Sequence, residues 1–347
     1  MKNLILILSI FLVACNATNT ENNTQSEEVA LDFYLGSWAL ELDYESNNAG
    51  WLEISRENDY LDAELLWRWG SVSPVEFVYY SDNKVYVKRG RDLKRTKEGM
   101  DETVRVHHVQ NTFIIEKVGE DSIGGTAIFP DHSGVGAVEV SFTGKRLTPP
   151  GNPPNLAEVN FGEPIELFNG KDLSGWELLN EGSVNGWKVA DGALVNDPVQ
   201  KEGEPHIHYG NLRTTETFED FNLKLEVNVP EGSNSGIYLR GIYEIQVLDS
   251  YGKELDSHNM GALYSRITPS EPAEKPAGEW QQLDITLVDR YLTVVLNGTK
   301  IIDNQFVEGV TGGAMTSNEF VPGPIYLQGD HGPVKYRDIV LRPVVGL

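Results

Sequence analysis

Along much of the chain, apolar and polar residues alternate one by one. Trp38, Leu40, Leu42 and Tyr44 fall on one side of such a run, with Ala39, Glu41 and Asp43 on the other. Leu61, Ala63, Leu65, Trp67 and Trp69 repeat the pattern against Asp62, Glu64 and Arg68. A period of two is the signature of a strand with one buried face. Similar stretches predict strands over Val75–Tyr80, Val85–Lys88, Val104–His108, Phe113–Val118 and Val138–Phe142. Turn-forming clusters separate them at Asn58-Asp59, Ser81-Asp82-Asn83 and Gly119-Glu120-Asp121. No apolar stripe of helical period lasts a dozen residues. Residues 31–147 therefore predict a small β-barrel or sandwich. A barrel of about eight strands either holds a small ligand or fills with its own side chains.

Four prolines between Thr148 and Pro154 remove backbone donors and fix φ, so residues 148–159 read as an extended linker. Beyond it, residues 160–347 predict a second β unit. Its strands fall at Phe221–Val229, Ile237–Leu239, Tyr243–Leu248, Leu283–Leu287, Tyr291–Leu296, Ile325–Gln328 and Ile339–Arg342. A segment of this size and pattern suits a two-sheet jelly roll. The fold class expected is thus all-β throughout.

The first thirty residues are different. Lys2 precedes an apolar run from Leu4 to Ala14, too short to span a bilayer but suited to export. It ends in Leu12-Val13-Ala14-Cys15, which resembles the lipobox of bacterial lipoproteins. That resemblance implies a signal peptide over 1–14, a lipid on Cys15, and a periplasmic or outer-membrane location. Residues 15–30 are polar and read as a tether.

The formal net charge of −24 argues against a nucleic-acid binder, which must neutralise phosphates. One cysteine in 347 residues excludes an intrachain disulfide framework and a thiol pair for metal or redox work. The basic residues that do cluster are Lys84, Lys88, Arg89, Arg91, Lys94, Arg95 and Lys97. They either grip an acidic partner or are solvated positions of a hairpin.

Two resemblances bear on fold and activity. Leu35-Gly36-Ser37-Trp38 is similar to the Gly-x-Trp opening of lipocalin-type barrels. The second segment carries a longer series. It opens with Glu166-Leu167-Phe168-Asn169-Gly170-Lys171-Asp172-Leu173-Ser174-Gly175-Trp176, and Gly186-Trp187-Lys188-Val189-Ala190-Asp191-Gly192 follows. Asn234-Ser235-Gly236-Ile237-Tyr238-Leu239-Arg240-Gly241 and Tyr243-Glu244-Ile245-Gln246-Val247-Leu248-Asp249 come next, and Tyr326-Leu327-Gln328-Gly329-Asp330-His331-Gly332 closes the series. It resembles the 3-keto-disaccharide hydrolase family, whose members act as 3-keto-glucoside 1,2-lyases or 3-keto-2-hydroxy-glucal hydratases. The resemblance implies a concanavalin-like jelly-roll sandwich preceded by the small lipocalin-like barrel. It also implies a carbohydrate-active enzyme whose substrate is made upstream by a separate sugar oxidoreductase.

That chemistry differs from ordinary glycoside hydrolysis. A ketone at C3 acidifies the C2 hydrogen, so a base can remove it and the C1 substituent leaves by β-elimination. Water then adds to the resulting glucal. The chain must supply a base near C2, an acid near the leaving oxygen and donors for the enolate. Glu244, His331 and Asp249 are the candidate catalytic groups. Tyr238, Arg240, Gln246, Tyr264 and Arg266 are candidates for binding sugar, because alternation within each strand turns them to a polar face, and the resemblance at Gly329-Asp330-His331-Gly332 adds Asp330. Asp249 is either an active-site carboxylate or a turn acid, and Arg240 and Glu244 are also placed for an ion pair. His206 and His208 share one face and offer two ligands to a divalent ion, which would suit enolate chemistry as a Lewis acid. Glu202, Glu204, Asp256 and His258 are further possible ligands. A carbohydrate-binding lipoprotein without catalysis, and a hydrolase of unoxidised glycans, are the competing expectations.

Overall fold

The computed structural model describes residues 30–97, 103–149, 151–201 and 203–346. Cys15, its apolar leader, the tether up to residue 29 and Glu202 lie outside them. Apart from a helical turn over residues 30–32, the described elements are strands.

The first nine strands are β1 (Gly36–Leu42), β2 (Ala49–Arg56), β3 (Leu61–Trp67), β4 (Ser73–Pro74), β5 (Phe77–Ser81), β6 (Lys84–Thr96), β7 (Thr103–Lys117), β8 (Ser122–Pro130) and β9 (Ala137–Arg146). All pair antiparallel, and β9 returns to β1. β4 pairs with β3 while β5 pairs with β6. Only Val75 and Glu76 separate these two short strands, and their amides donate to Ala63 on one side and Lys88 on the other. Ser73–Ser81 is therefore one strand that changes partners midway, and it closes the sheet into a barrel. The interior is filled: Trp67 packs edge-on to Phe113 at 5.0 Å and to Phe142 at 5.5 Å, within a cluster that includes Trp38, Leu52, Ile54, Val85 and Ile115. Of the two expectations for the barrel, its own side chains occupy it.

Three differences from the predicted strands have physical causes. β2 lacks alternation because both of its faces are buried from Ala49 to Leu52; Trp51 points outward into the second unit. β8 is masked by Gly124 and Gly125, and the latter has no room for a side chain, since a Cβ there would lie 2.5 Å from the Phe142 ring. Val104–His108 and Phe113–Val118 are one continuous β7, the partner of a long β6 that carries the basic cluster. Within that hairpin Lys84 pairs with Glu116 at 2.9 Å and Lys88 donates to Thr112 at 2.8 Å.

The remaining strands are β10 (Asn160–Phe161), β11 (Ile165–Glu166), β12 (Trp176–Leu178), β13 (Trp187–Ala190), β14 (Ala193–Asn196), β15 (Leu212–Thr214) and β16 (Phe221–Asn228). They are followed by β17 (Asn234–Leu239), β18 (Tyr243–Leu248), β19 (Trp280–Val288), β20 (Tyr291–Leu296), β21 (Thr299–Phe306), β22 (Tyr326–Leu327) and β23 (Val334–Gly346). One sheet runs β13-β14-β23-β16-β19-β20-β21, with β10 and β11 also on β23; the other runs β12-β15-β22-β17-β18. Leu223, Leu225, Leu283 and Ile285 of the first meet Ile237, Ile245, Val247 and Leu327 of the second in one core. This is the expected jelly-roll sandwich.

The same core takes in Ala39, Ala49, Trp51, Leu66 and Leu147 from the barrel side. Burying a side chain such as Leu66 contributes roughly 1.5–3 kcal/mol, so the barrel is docked by apolar contact. The proline segment lies along the sandwich, where Arg290 donates to the Thr148 carbonyl and Asn304 to that of Pro154.

Candidate functional site

The five-stranded sheet turns one face to the core and the other away from it. Ladder register aligns Tyr326 with Tyr238 and Tyr238 with Glu244, so the three stand in one row on the outer face. Arg213 of β15 extends the row on one side, paired with Glu177 at 2.6 Å. On the other side the segment after Gly261 runs beside β18, and the Tyr264 amide donates to the Glu244 carbonyl. The next row holds Gln328, Gly236 and Gln246. The Glu244 carboxyl lies over Gly236, in the space that a side chain there would take. A Cβ on Gly236 would come within 2.9 Å of the carboxyl carbon, so glycine is required there.

Glu244 is 4% exposed. Its Oε2 lies 2.7 Å from the hydroxyl of Tyr238, which also lies 2.5 Å from the carbonyl oxygen of Gly312. A hydroxyl has one proton to give, and a carbonyl only accepts. When Tyr238 donates to Gly312, the bond to Glu244 must be donated by Glu244, which requires a neutral carboxyl. Burial acts in the same sense and pushes its pKa up to about 8, against the Tyr238 bond and the charge of His331. Among the described residues no donor reaches Oε1.

His331 and Asp330 stand on the loop after β22. Asp330 Oδ1 lies 2.6 Å from His331 Nδ1, which fixes the proton on Nδ1 and leaves Nε2 as the free base. The Asp330 hydrogen bond raises the imidazole pKa, and the Glu244 charge adds to this. Burial alone would raise the Asp330 carboxyl; the bond and charge of His331 outweigh it and hold it below the usual range. The loop is strapped from below, since the buried Asn196 amide donates to the carbonyls of Gly329 and Gly332 at 2.9 and 3.1 Å. Gly329 fits because a Cβ there would lie 2.8 Å from the Trp187 indole nitrogen.

The face also carries amides without protein partners. The side-chain oxygens of Asn234, Gln246 and Gln328 are buried without a hydrogen bond among the described residues. Buried polar groups are ordinarily paired, so these three, on or next to the strands of the sheet that carries Glu244, mark a surface prepared for a polar ligand. Asn234, Gln328 and Tyr326 were not among the sequence candidates. Their signal is cross-strand register, which a single sequence does not display.

Other candidates sit elsewhere. β17 ends at Leu239, and Arg240 adopts the left-handed region at φ 56°, which breaks the alternation. Its guanidinium donates to the backbone carbonyls of Glu319 and Val321 and has no ion pair with Glu244. Ser265, at φ 62°, turns Arg266 toward the barrel, over the Trp51 ring at 4.3 Å and against the Val310 carbonyl. Burial lowers the Arg266 pKa to about 10. Asp249 accepts from the Gly232 amide at 2.9 Å and holds the turn before β17, apart from Glu244. Arg240, Arg266 and Asp249 are thus fold-building residues here, and not part of the polar floor.

The rings of His206 and His208 are 5.0 Å apart, and the charge of His208 reaches Asp330. Among the described residues no three His, Cys, Asp or Glu side chains converge to hold an ion. Asp256 and His258 are at the barrel interface, where His258 Nε2 meets Ser71 Oγ at 2.9 Å. The described side chains do not form the three-ligand set of a catalytic metal centre.

Residues 163–342, just over half of the chain, match the family of 3-keto-alpha-glucoside-1,2-lyase-like domains. A Bacteroides thetaiotaomicron protein named 3-keto-disaccharide hydrolase is 27% identical over 162 residues, 39% of this chain and 54% of its own length. The chain thus spans about half the length of that curated relative. Among solved structures, a Parabacteroides distasonis protein named as a glycosyl hydrolase is 29% identical, with a TM-score of 0.44, covering 57% of this chain and 94% of that one. The carbohydrate-binding module CBM66 from Bacillus subtilis is 12% identical, with a TM-score of 0.32 over 48% of this chain and 93% of its own. The match spans every strand of the polar floor, Glu244 and the Asp330-His331 loop included, and the chain belongs to the family of 3-keto-alpha-glucoside-1,2-lyase-like domains.

Proposed function

We propose that the polar face binds a 3-keto-glucoside, and that Glu244 and His331 divide the acid and base roles of its β-elimination. The observation that supports this is the pairing of a buried carboxyl, neutral up to about pH 8, with an exposed imidazole whose Nδ1 is held by Asp330. Two groups whose surroundings separate their protonation states are suited to opposite proton transfers. Nε2 of His331 takes the C2 proton, and the electron pair becomes an enolate on the C3 oxygen. The side-chain amides of Asn234, Gln246 and Gln328 donate N–H to that oxygen and accept from neighbouring hydroxyls. The C1–O bond then breaks, and Glu244 delivers its proton to the leaving oxygen. For hydration, the Glu244 carboxylate takes a proton from water as it adds to C1, and His331, whose exposed ring has exchanged its proton with solvent, protonates C2. Both groups end as they began. The 3-keto group is supplied by a separate oxidoreductase.

Incubating the full chain with a 3-keto-glucoside in D2O tests this reading. Release of the aglycone and free 3-keto sugar carrying deuterium at C2 is expected. Release without C2 exchange, or hydrolysis of the unoxidised glucoside at a similar rate, overturns it. We also propose anchorage through a lipid on Cys15. Cys15→Ser should move the protein from the membrane to the soluble fraction of the producing cell; an unchanged distribution removes that reading.

A further inference from the structure

The row Tyr326, Tyr238, Glu244, Tyr264 ends against the barrel. The turn after β3, Arg68-Trp69-Gly70-Ser71, touches the row at two points. The Ser71 hydroxyl donates to Tyr264 Oη at 3.3 Å and meets His258 Nε2 at 2.9 Å. The backbone of Gly70 lies directly against Gly312, so a side chain on Gly312 would have nowhere to go. Gly312 and Gly313 in turn receive the hydroxyls of Tyr238 and Tyr326 at 2.5 and 2.6 Å. The barrel turn is thus the wall of the polar face at the Tyr264 end.

Trp69, immediately before Gly70 in that turn, is 59% exposed, while Trp38, Trp51 and Trp67 of the same barrel are buried. The turn that holds it is fixed. Arg68 and Gly70 adopt positive φ of 72° and 78°, and the Arg68 guanidinium donates to the carbonyls of Ser46 and Asn47. That guanidinium lies over Tyr44 at 3.6 Å and over the Trp69 ring at 4.4 Å, so one indole face is covered and held in place. Nothing about barrel stability calls for an exposed indole on a braced turn. Two residues further on, Ser71 leads to polar groups: its hydroxyl meets His258, whose Nδ1 lies 3.6 Å from the exposed carboxylate of Asp256.

We propose that Trp69 forms, with Asp256, a subsite for the sugar ring on the leaving side of the scissile bond. The indole stacks on the apolar C–H face of that ring, and the exposed Asp256 carboxylate accepts from its hydroxyls. The polar neighbours favour a sugar over an aryl leaving group, which has no hydroxyls to match them. The inference rests on the proposed reaction and extends it to the barrel. In this reading the barrel sets the choice of substrate while the sandwich performs the chemistry.

Trp69→Ala and Trp69→Phe in the full chain test the subsite with two substrates, a 3-keto-disaccharide and the 3-keto-2-hydroxy-glucal that lacks a leaving group. The ratio of kcat/KM for cleavage to that for hydration should fall about tenfold in the alanine variant, mainly through KM. Phe should restore most of it. An equal loss on both substrates, or no loss, overturns the subsite while leaving the reaction intact. Binding of the unoxidised disaccharide decides the matter independently of turnover. It should shield the wild-type protein, but not Trp69→Ala, from acrylamide quenching of the exposed indole. Shielding without turnover sinks the reaction and keeps the subsite; equal quenching in both proteins sinks the subsite.

Discussion

Glu244 and Glu319 are both buried, and each is bonded to the hydroxyl of a buried tyrosine at 2.7 Å, Tyr238 for one and Tyr243 for the other. Beyond that their surroundings diverge. Glu319 also accepts from the Gly309 amide at 2.7 Å and from the buried Arg290 at 3.2 Å, so both oxygens are satisfied and its charge is met. Arg290 goes on to the Thr148 carbonyl, and the Glu319 backbone carbonyl receives Arg240. One carboxylate therefore ties together β18, the loop over the site and the proline segment. Among the described residues Glu244 has one hydroxyl at one oxygen and no cation bonded to it. Burial raises both pKa values; the Tyr243 bond, Arg290 and Arg266 oppose the rise in Glu319, and the Tyr238 bond and the charge of His331 oppose it in Glu244, which is left at about 8. A buried carboxyl with both oxygens paired by the fold is architecture. One with a single oxygen paired, on a sheet that carries unpartnered amide oxygens, is held ready for a ligand.

The comparison breaks most sharply on substitution to glutamine. Glu244→Gln should lower kcat by about a thousandfold or more, the scale of a lost general acid. It should also flatten the dependence of stability on pH. Between an unfolded pKa near 4.5 and the folded value of about 8, the native state holds a proton that the unfolded chain releases. Stability from this group is therefore full at low pH and declines by about 1.4 kcal/mol per unit as pH rises through that window. Urea melts at pH 5 and pH 9 should show the Glu244→Gln variant gaining on wild type at the alkaline end. A variant that loses stability equally at both would make Glu244 structural like Glu319.

Glu319→Gln should do the reverse. It leaves Arg290 buried without its counter-charge, at a cost of about 3–5 kcal/mol. The urea midpoint should fall well below wild type, while kcat of the protein still folded drops far less than for Glu244→Gln. Equal stability with a collapsed kcat would move Glu319 into the chemistry and erase the contrast.

How far these two glutamates could be told apart in the sequence depends on regularity. β17 and β18 are regular, so alternation placed Tyr238, Glu244 and Gln246 on one face, and it does so in the structure. The same count fails at Arg240 and Arg266, since one left-handed residue rotates everything after it. Glu319 lies in a loop, where no period exists to flag a buried carboxylate. Tyr326 and Gln328 needed the pairing of β22 with β17, a contact between residues nearly ninety positions apart that no local pattern encodes. Trp69 read as the last position of a strand; the chain turns after Trp67, which carries the indole outward.

The smallest expected effect is the most specific. Asp330 is linked to Glu244 only through charge and through His331, so Asp330→Asn acts on titration more than on structure. Removing the carboxylate takes away the bond that raises the His331 pKa, and the acid limb of a kcat/KM profile should move to lower pH. It also removes a negative charge that raises the Glu244 pKa, so the alkaline limb should move the same way. The bell as a whole slides toward acid, with a loss of about tenfold at its maximum because the base is weaker. Its two limbs belong to the coupled pair and not to either residue alone. The exposed Asp330–His331 pair contributes little to folding, so the urea midpoint should hold within about 1 kcal/mol. A profile whose limbs stay fixed while the maximum falls would mean that Asp330 orients the ring without tuning it. A midpoint that falls as it does in Glu319→Gln would place the dyad with the architecture, and the division between the two carboxyls would then rest on Glu244 alone.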